Sequence, residues 1–204
     1  MIKISYSTIN AVINCRQIWL NKMQGLPTKD FEYFHYGKAG HDAIQKHVSG
    51  QEEHPLLAKT LPIEHFNFPI VETKDFDEKT YFEMVIKDKY LFRGYRDGFN
   101  PEKKRRLEIK ISTTPWPSSK YKTSMQKKCY DLCNPTDKSS VLVTARPDLG
   151  GLKAYEVAST QKDRDEAMAW IMKGISIIEE MDFDGGEAIN CFRCVYQDVC
   201  EKRR

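Results

Sequence analysis

No run of about 18 apolar residues occurs in this chain, and no basic start leads into a short apolar block. A membrane span and a signal peptide are therefore not expected, and the reading is a cytoplasmic protein. No Gly-x4-Gly-Lys-Ser/Thr phosphate loop is present, so any unwinding of a duplex would have to come from a partner. Internal repeats and low-complexity segments are also missing. Net charge is small, +3 over 204 residues, so composition alone does not announce a nucleic-acid partner. That length suits one domain with a sizeable core and no need of disulfides. The six cysteines are then better read as metal ligands, redox groups or buried small hydrophobes.

What is present is ordered along the chain. Residues 5–22 carry apolar side chains at Ile9, Val12, Ile13 and Trp19 behind a Ser/Thr start, which predicts one amphipathic helix with Cys15 on it. A second helix is expected over 35–48, with Gly37 and His41 one turn apart on one face. Aromatic and β-branched residues over 81–86, 90–95 and 107–111 predict strands. Pro115 and Pro117 end that block, and Ser118 or Ser119 can start a helix running to about Leu132. Residues 141–144 and 153–157 predict a hairpin around Leu149-Gly150-Gly151. A long helix from about Thr160 to Met181 follows, with Ala167, Trp170, Ile171, Ile175 and Ile178 facing inward and Gly185-Gly186 stopping it. The expected class is α/β, a central mixed sheet flanked by helices.

Acidic-x-Lys triplets are common in so charged a chain, but Glu108-Ile109-Lys110 lies inside an alternating strand. Leu107, Ile109 and Ile111 point to one face there, and Glu108, Lys110 and Ser112 to the other. If the strand ending near Phe99 turns back through 100–104, Asp97 lies across from Glu108. Two converging carboxylates suit a hard cation such as Mg2+ or Mn2+, which can polarise a phosphodiester, with Lys110 orienting the nucleophile or stabilising developing charge. The competing reading is a surface ion pair of small energetic weight. His41 alone reads as an ordinary helix histidine. Gln126 and Tyr130 sit one helical turn apart and could reach the same phosphate.

Basic clusters occur at Lys103, Lys104, Arg105 and Arg106, at Lys120, Lys122, Lys127 and Lys128, and at Lys202, Arg203 and Arg204. Each alone is ordinary solvated surface. Because two of them flank the acidic pair, Lys120, Lys122, Lys127 and Lys128 are taken as candidate phosphate contacts.

Taken in order, Gly37-x3-His41, Gly94-x2-Asp97, Glu108-x-Lys110 and Gln126-x3-Tyr130 resemble the motif series of RecB-like nucleases of the PD-(D/E)XK superfamily. The front Ser5-Tyr6-Ser7-Thr8-Ile9 leading to Cys15 and Trp19, with the closing Cys191-x2-Cys194-x5-Cys200, is similar to the iron-sulfur members: the AddB nuclease domain and the CRISPR-associated RecB-like exonucleases. That resemblance implies a restriction-endonuclease-like core over 1–204, with 1–22 and 185–204 joined by a [4Fe-4S] cluster on Cys15, Cys191, Cys194 and Cys200. It also implies divalent-metal ligands His41, Asp97 and Glu108, with Lys110 catalytic and Gln126 and Tyr130 in the site. Where many relatives have a proline after the first cysteine and an acidic residue four after the histidine, this chain has Arg16 and Gln45.

The implied activity is a metal-dependent DNA nuclease, an exonuclease on single strands or ends, in CRISPR adaptation, recombination and repair, or phage DNA processing. Its partners would be DNA and a helicase or CRISPR adaptation proteins, with no membrane; the residues leave homo-oligomers open. Four thiolates serve zinc as well as iron-sulfur, so spacing alone does not choose between them. Cys129 and Cys133, one turn apart, are read as buried helix residues rather than part of a zinc site. The rival function is a non-catalytic nucleic-acid-binding subunit stapled by either metal.

Overall fold

In the computed structural model the described residues are 1–29, 32–71, 80–180, 194–196 and 198–200, with side chains 32–36 left aside. The chain runs β1 (Ile2–Ile4), α1 (Tyr6–Asn14), α2 (Arg16–Met23), α3 (Glu32–Val48), α4 (Pro55–Ala58), β2 (Ile70–Val71), β3 (Tyr81–Ile86) and β4 (Tyr90–Tyr95). It continues through β5 (Gly98–Asn100), β6 (Arg105–Ile111), α5 (Ser118–Lys122), α6 (Met125–Cys133), β7 (Ser139–Ala145), β8 (Lys153–Ala158) and α7 (Gln161–Glu179). The class is mixed α/β, with helices flanking the strands. Among the described residues no helix is long and apolar enough to cross a membrane.

The expected single sheet is divided in two. One has the order β1-β4-β3, and the other β2-β5-β6-β7-β8. The strand pattern reads straight from Tyr90 to Asn100, but the chain changes sheets at Arg96-Asp97, where no Gly or Pro marks the bend. Both sheets are mixed: β1 lies parallel to β4, and β6 parallel to β7, while the other pairs are antiparallel.

Alternation in β6 is as the sequence predicts. Leu107 and Ile109 pack with Ile44, Val48, Phe68, Val141 and Val143 in one core under α3. The opposite face carries Arg106, Glu108 and Lys110 beneath α6. A second core joins the smaller sheet to α1, α6 and α7 through Ile4, Ile9, Phe82, Phe92, Cys129, Ile171 and Ile175.

The predicted 5–22 helix is broken. Cys15, with φ −157° and ψ 99°, ends α1 and precedes α2, so it sits at a joint instead of on a helix face. Ser5 caps α1, its side chain accepting from Thr8 N. Likewise the predicted helix to Leu132 is two, split at Thr123-Ser124. The long helix begins as expected at its Thr160 cap, and α1 lies so close to it that a Cβ on Gly174 would be 2.5 Å from Ile9 Cγ2. Gly185-Gly186 and Cys191 lie outside the described residues.

Candidate active site

The register of β5 on β6 pairs Gly98 with Leu107 and Phe99 with Arg106, so the residue before Gly98 falls opposite Glu108. That residue is Asp97. One of its oxygens, Oδ2, accepts from Ile109 N at 2.6 Å, and the other lies 3.3 Å from His41 Nε2. The backbone of Asp97 is held too, because Gln45 Nε2 donates to its carbonyl at 2.8 Å. Gln45 is one turn after His41 on α3, so a single helix face grips both ends of this residue.

From Glu108 a chain of contacts continues outward. The Glu108 carboxylate is paired with the Lys110 ammonium. Lys110 Nζ donates to Gln126 Oε1 at 3.0 Å, and Gln126 Nε2 donates to Tyr130 Oη at 3.3 Å. Gly94, the glycine three before Asp97, stands opposite Phe82, and a Cβ there would be 2.5 Å from Phe82 Cζ. Phe82 in turn meets the Tyr130 ring edge-on at 4.8 Å. Gly37 meets nothing within 4 Å, and nothing in the structure explains its place in the series.

Electrostatics push the two carboxyls apart. Burial alone would raise Asp97, but the His41 hydrogen bond and charge, Lys110 and the Ile109 amide bring it below the usual carboxylate range. Glu108 is raised, by burial first and by Asp97, with Lys110 opposing. Burial would lower Lys110, yet Glu108 and Asp97 outweigh it and hold the ammonium protonated. Tyr130 is raised by burial and by Glu108.

Two carboxylates and an imidazole form an oxygen-rich donor set whose chemistry fits Mg2+ or Mn2+. As placed, their charges are met by Lys110 and His41, and no three Asp, Glu, His or Cys side chains among the described residues are gathered around a common point.

The predicted phosphate contacts fare unequally. Lys120 and Lys122 are exposed, and Lys120 Nζ lies 4.0 Å from the Trp116 ring centroid. Lys127 is instead buried, its ammonium 2.7 Å from Asp131 and 2.8 Å from Asp163. Lys128 is mostly buried against Glu166. Burial and pairing remove both from the surface a strand could touch. Arg106 also leaves its cluster, being fully buried between Asp131 and Asp137, whereas Arg105 is tied to the His65 carbonyl and Glu156.

Cys15, Cys194 and Cys200 are half-buried. The segment of Cys194 docks beside the exit of α2, where Lys29 N donates to Val195 O at 2.6 Å and Lys29 Nζ pairs with Asp198 at 3.1 Å. Cys129 is buried and Cys133 half-buried, both facing the smaller sheet's core. Burial drives both thiols up, Cys133 to about 12, which leaves them unreactive.

Sequence reasoning missed two neighbours. Tyr6 senses both Glu108 and Lys110, and Trp116 lies with its centroid 5.9 Å from Lys110 Nζ. Gln45 had a signal, its four-residue spacing from His41. Tyr6 and Trp116 had none: Tyr6 comes from the start of α1, about a hundred residues before Lys110, and Trp116 from the irregular Pro-flanked segment after β6, whose path no periodicity sets.

No family model matches the chain, and neither does any curated protein. In fold it is similar to the crystal structure of SSO0001, with a TM-score of 0.56 at 17% identity, covering 100% of this chain and 88% of that chain. At that identity the likeness concerns the fold alone.

Proposed function

We propose that this protein is a divalent-metal-dependent deoxyribonuclease of the RecB-like PD-(D/E)XK type, acting on single strands or DNA ends. The observation that carries the reading is the convergence of His41, Asp97, Glu108, Lys110 and Gln126 from α3, the β5 entrance, β6 and α6. An ordinary surface ion pair would need neither a buried Glu108 nor a half-buried Asp97 held by a backbone amide and a neighbouring helix.

In this reading Asp97, Glu108 and His41 would hold Mg2+ or Mn2+, which supplies Lewis-acid polarisation of the scissile phosphate. Lys110 stays protonated and faces the charge that develops on the phosphate oxygens. Gln126 fixes the Lys110 ammonium, and Tyr130 fixes Gln126. Gln45 keeps the Asp97 backbone in register with Glu108. Cys15, Cys194 and Cys200, with Cys191 outside the described residues, would hold a [4Fe-4S] cluster; the thiolate set suits it, and zinc equally. A brown protein after anaerobic purification supports iron-sulfur, and a colourless zinc-loaded one overturns it.

The test of the reading is cleavage of end-labelled single- and double-stranded DNA with Mg2+ or Mn2+, beside Lys110→Ala. Cleavage that needs the cation and is lost in the folded variant is expected. Absence of cleavage by metal-loaded protein that binds DNA tightly would leave a binding module in its place.

A further inference from the structure

A concavity of about 470 Å³ opens where β1, α1, α2 and β4 meet, and neither Lys110 nor its partners Glu108 and Gln126 line it. Lys3, Lys22 and Arg93 line it together with the hydroxyl residues Ser5 and Thr8 and the ring of Tyr95. No acidic side chain lines it among the described residues. Lys3 and Lys22 are exposed, and neither has an ion-pair partner among the described residues. Arg93 stands across from Glu83, the one carboxylate paired in register with a lining cation, so Lys3, Lys22 and Arg93 against it leave the wall net positive. Ser5 Oγ lies 2.9 Å from Ser7 Oγ and 3.1 Å from Thr8 Oγ1, a group of short hydroxyls that the proposed chemistry does not use.

The concavity adjoins the candidate active site along the backbone. Tyr95 is two residues before Asp97, about 7 Å along an extended chain. Tyr6, next to Ser5, senses Glu108 and Lys110. We propose that Lys3, Lys22 and Arg93 form a subsite for backbone phosphates of a single nucleic-acid strand. Cations of one sign, hydroxyl donors and an aromatic edge on one wall are the elements by which proteins track single strands without reading sequence. The inference deepens the nuclease reading, since it names how the substrate strand is held beyond the cut.

The test separates binding from chemistry. Fluorescence anisotropy of a labelled oligonucleotide is followed against salt in EDTA, with Lys110→Ala protein carrying or lacking Lys3→Ala and Lys22→Ala. Both lysines are exposed, and unchanged thermal melting checks the fold. Loss of two phosphate contacts is expected to make the log-log salt slope shallower by about 1.4 and to weaken binding on the order of tenfold at 0.1 M salt. In otherwise wild-type protein the pair is expected to raise KM and leave kcat unchanged. Equal slope and affinity with and without the two lysines overturn the subsite, whether or not the protein cleaves DNA. Competition by polyglutamate as strong as by unlabelled strand overturns it as well, in favour of an acidic protein partner. Failure of cleavage with the salt effect intact would instead sink the nuclease and leave the subsite standing.

Discussion

One face of β6 carries two buried charge groups that are neighbours and opposites. At its start Arg106 sits with Arg96, Lys127 and Lys128 against Asp131, Asp137, Asp163 and Glu166, four cations to four carboxylates. Two residues on, Glu108 and Asp97 share one lysine and one imidazole. The centre of the first group is closed off, Arg106 and Asp131 being 0% exposed, and its rim at Glu166 meets solvent, while in the second Lys110 is 22% and His41 27% exposed. Tyr130 separates them, with the Arg106 guanidinium 6.0 Å from its ring centroid and its hydroxyl on Gln126. Charge that is balanced and sealed holds a fold together. Carboxylates met in part by an imidazole that can give up its proton, and open on one side, are suited to receiving a cation from outside.

Breaking the sealed group is expected to give the largest effect. Arg106→Ala strands Asp131 and Asp137 without their partner and is expected to cost about 3–5 kcal/mol of stability by urea unfolding. A loss under 1 kcal/mol would remove the distinction drawn here. Lys110→Ala in the open group is expected to do the reverse. Cleavage falls by about 10²–10³-fold, by the measure of a lost transition-state donor, and the urea midpoint moves less than for Arg106→Ala, because Glu108, already raised by burial, can take up a proton in place of its partner. Unfolding of that variant would make Lys110 structural.

Gln45→Ala sharpens the open side further, because it leaves the metal-ligand candidates intact but frees the Asp97 carbonyl. About tenfold slower cleavage is expected, together with a higher Mg2+ requirement in a titration. The same Mg2+ dependence as wild type would show that Asp97 needs no such hold. The smallest effect is expected at the rim of the sealed group. Burial would raise Asp163, but hydrogen bonds from Lys127 and Thr160 bring it below its ordinary value. Its contribution is therefore full above the unfolded carboxylate pKa, about 3.9, and fades as pH falls through the lower folded value. Asp163→Asn should lose about 1–2 kcal/mol at pH 7 and progressively less as pH falls below about 4, and a loss that does not change with pH contradicts the ion pairing.

Much of the open group was legible in the sequence. Alternation over Leu107–Ile111 set the faces of β6, and counting outward from a turn through 100–104 placed Asp97 opposite Glu108. The sealed group was not. Lys127 reads as one more lysine in a basic run, and its burial depends on Asp163, which lies beyond a hairpin. Cys15 was expected on a helix because Val12, Ile13 and Trp19 keep one period across it; the extended backbone at 15 is a local break that no Gly or Pro signals. β1 escaped notice since three residues carry no period, and its pairing partner lies nearly ninety residues on.

The contact between Ile9 and Gly174 bears on how the chain is made. The first helix leaves the ribosome early, but the groove that accepts it is completed only about 165 residues later. At 5–20 residues per second that is roughly 10–30 s, during which Ile4 and Ile9 lack the part of their core that α7 supplies. Any residue larger than glycine at 174 would prolong that wait into the finished protein. The strand-side hydroxyls at Ser5 and the joint at Cys15 would then be left undocked along with the helix between them.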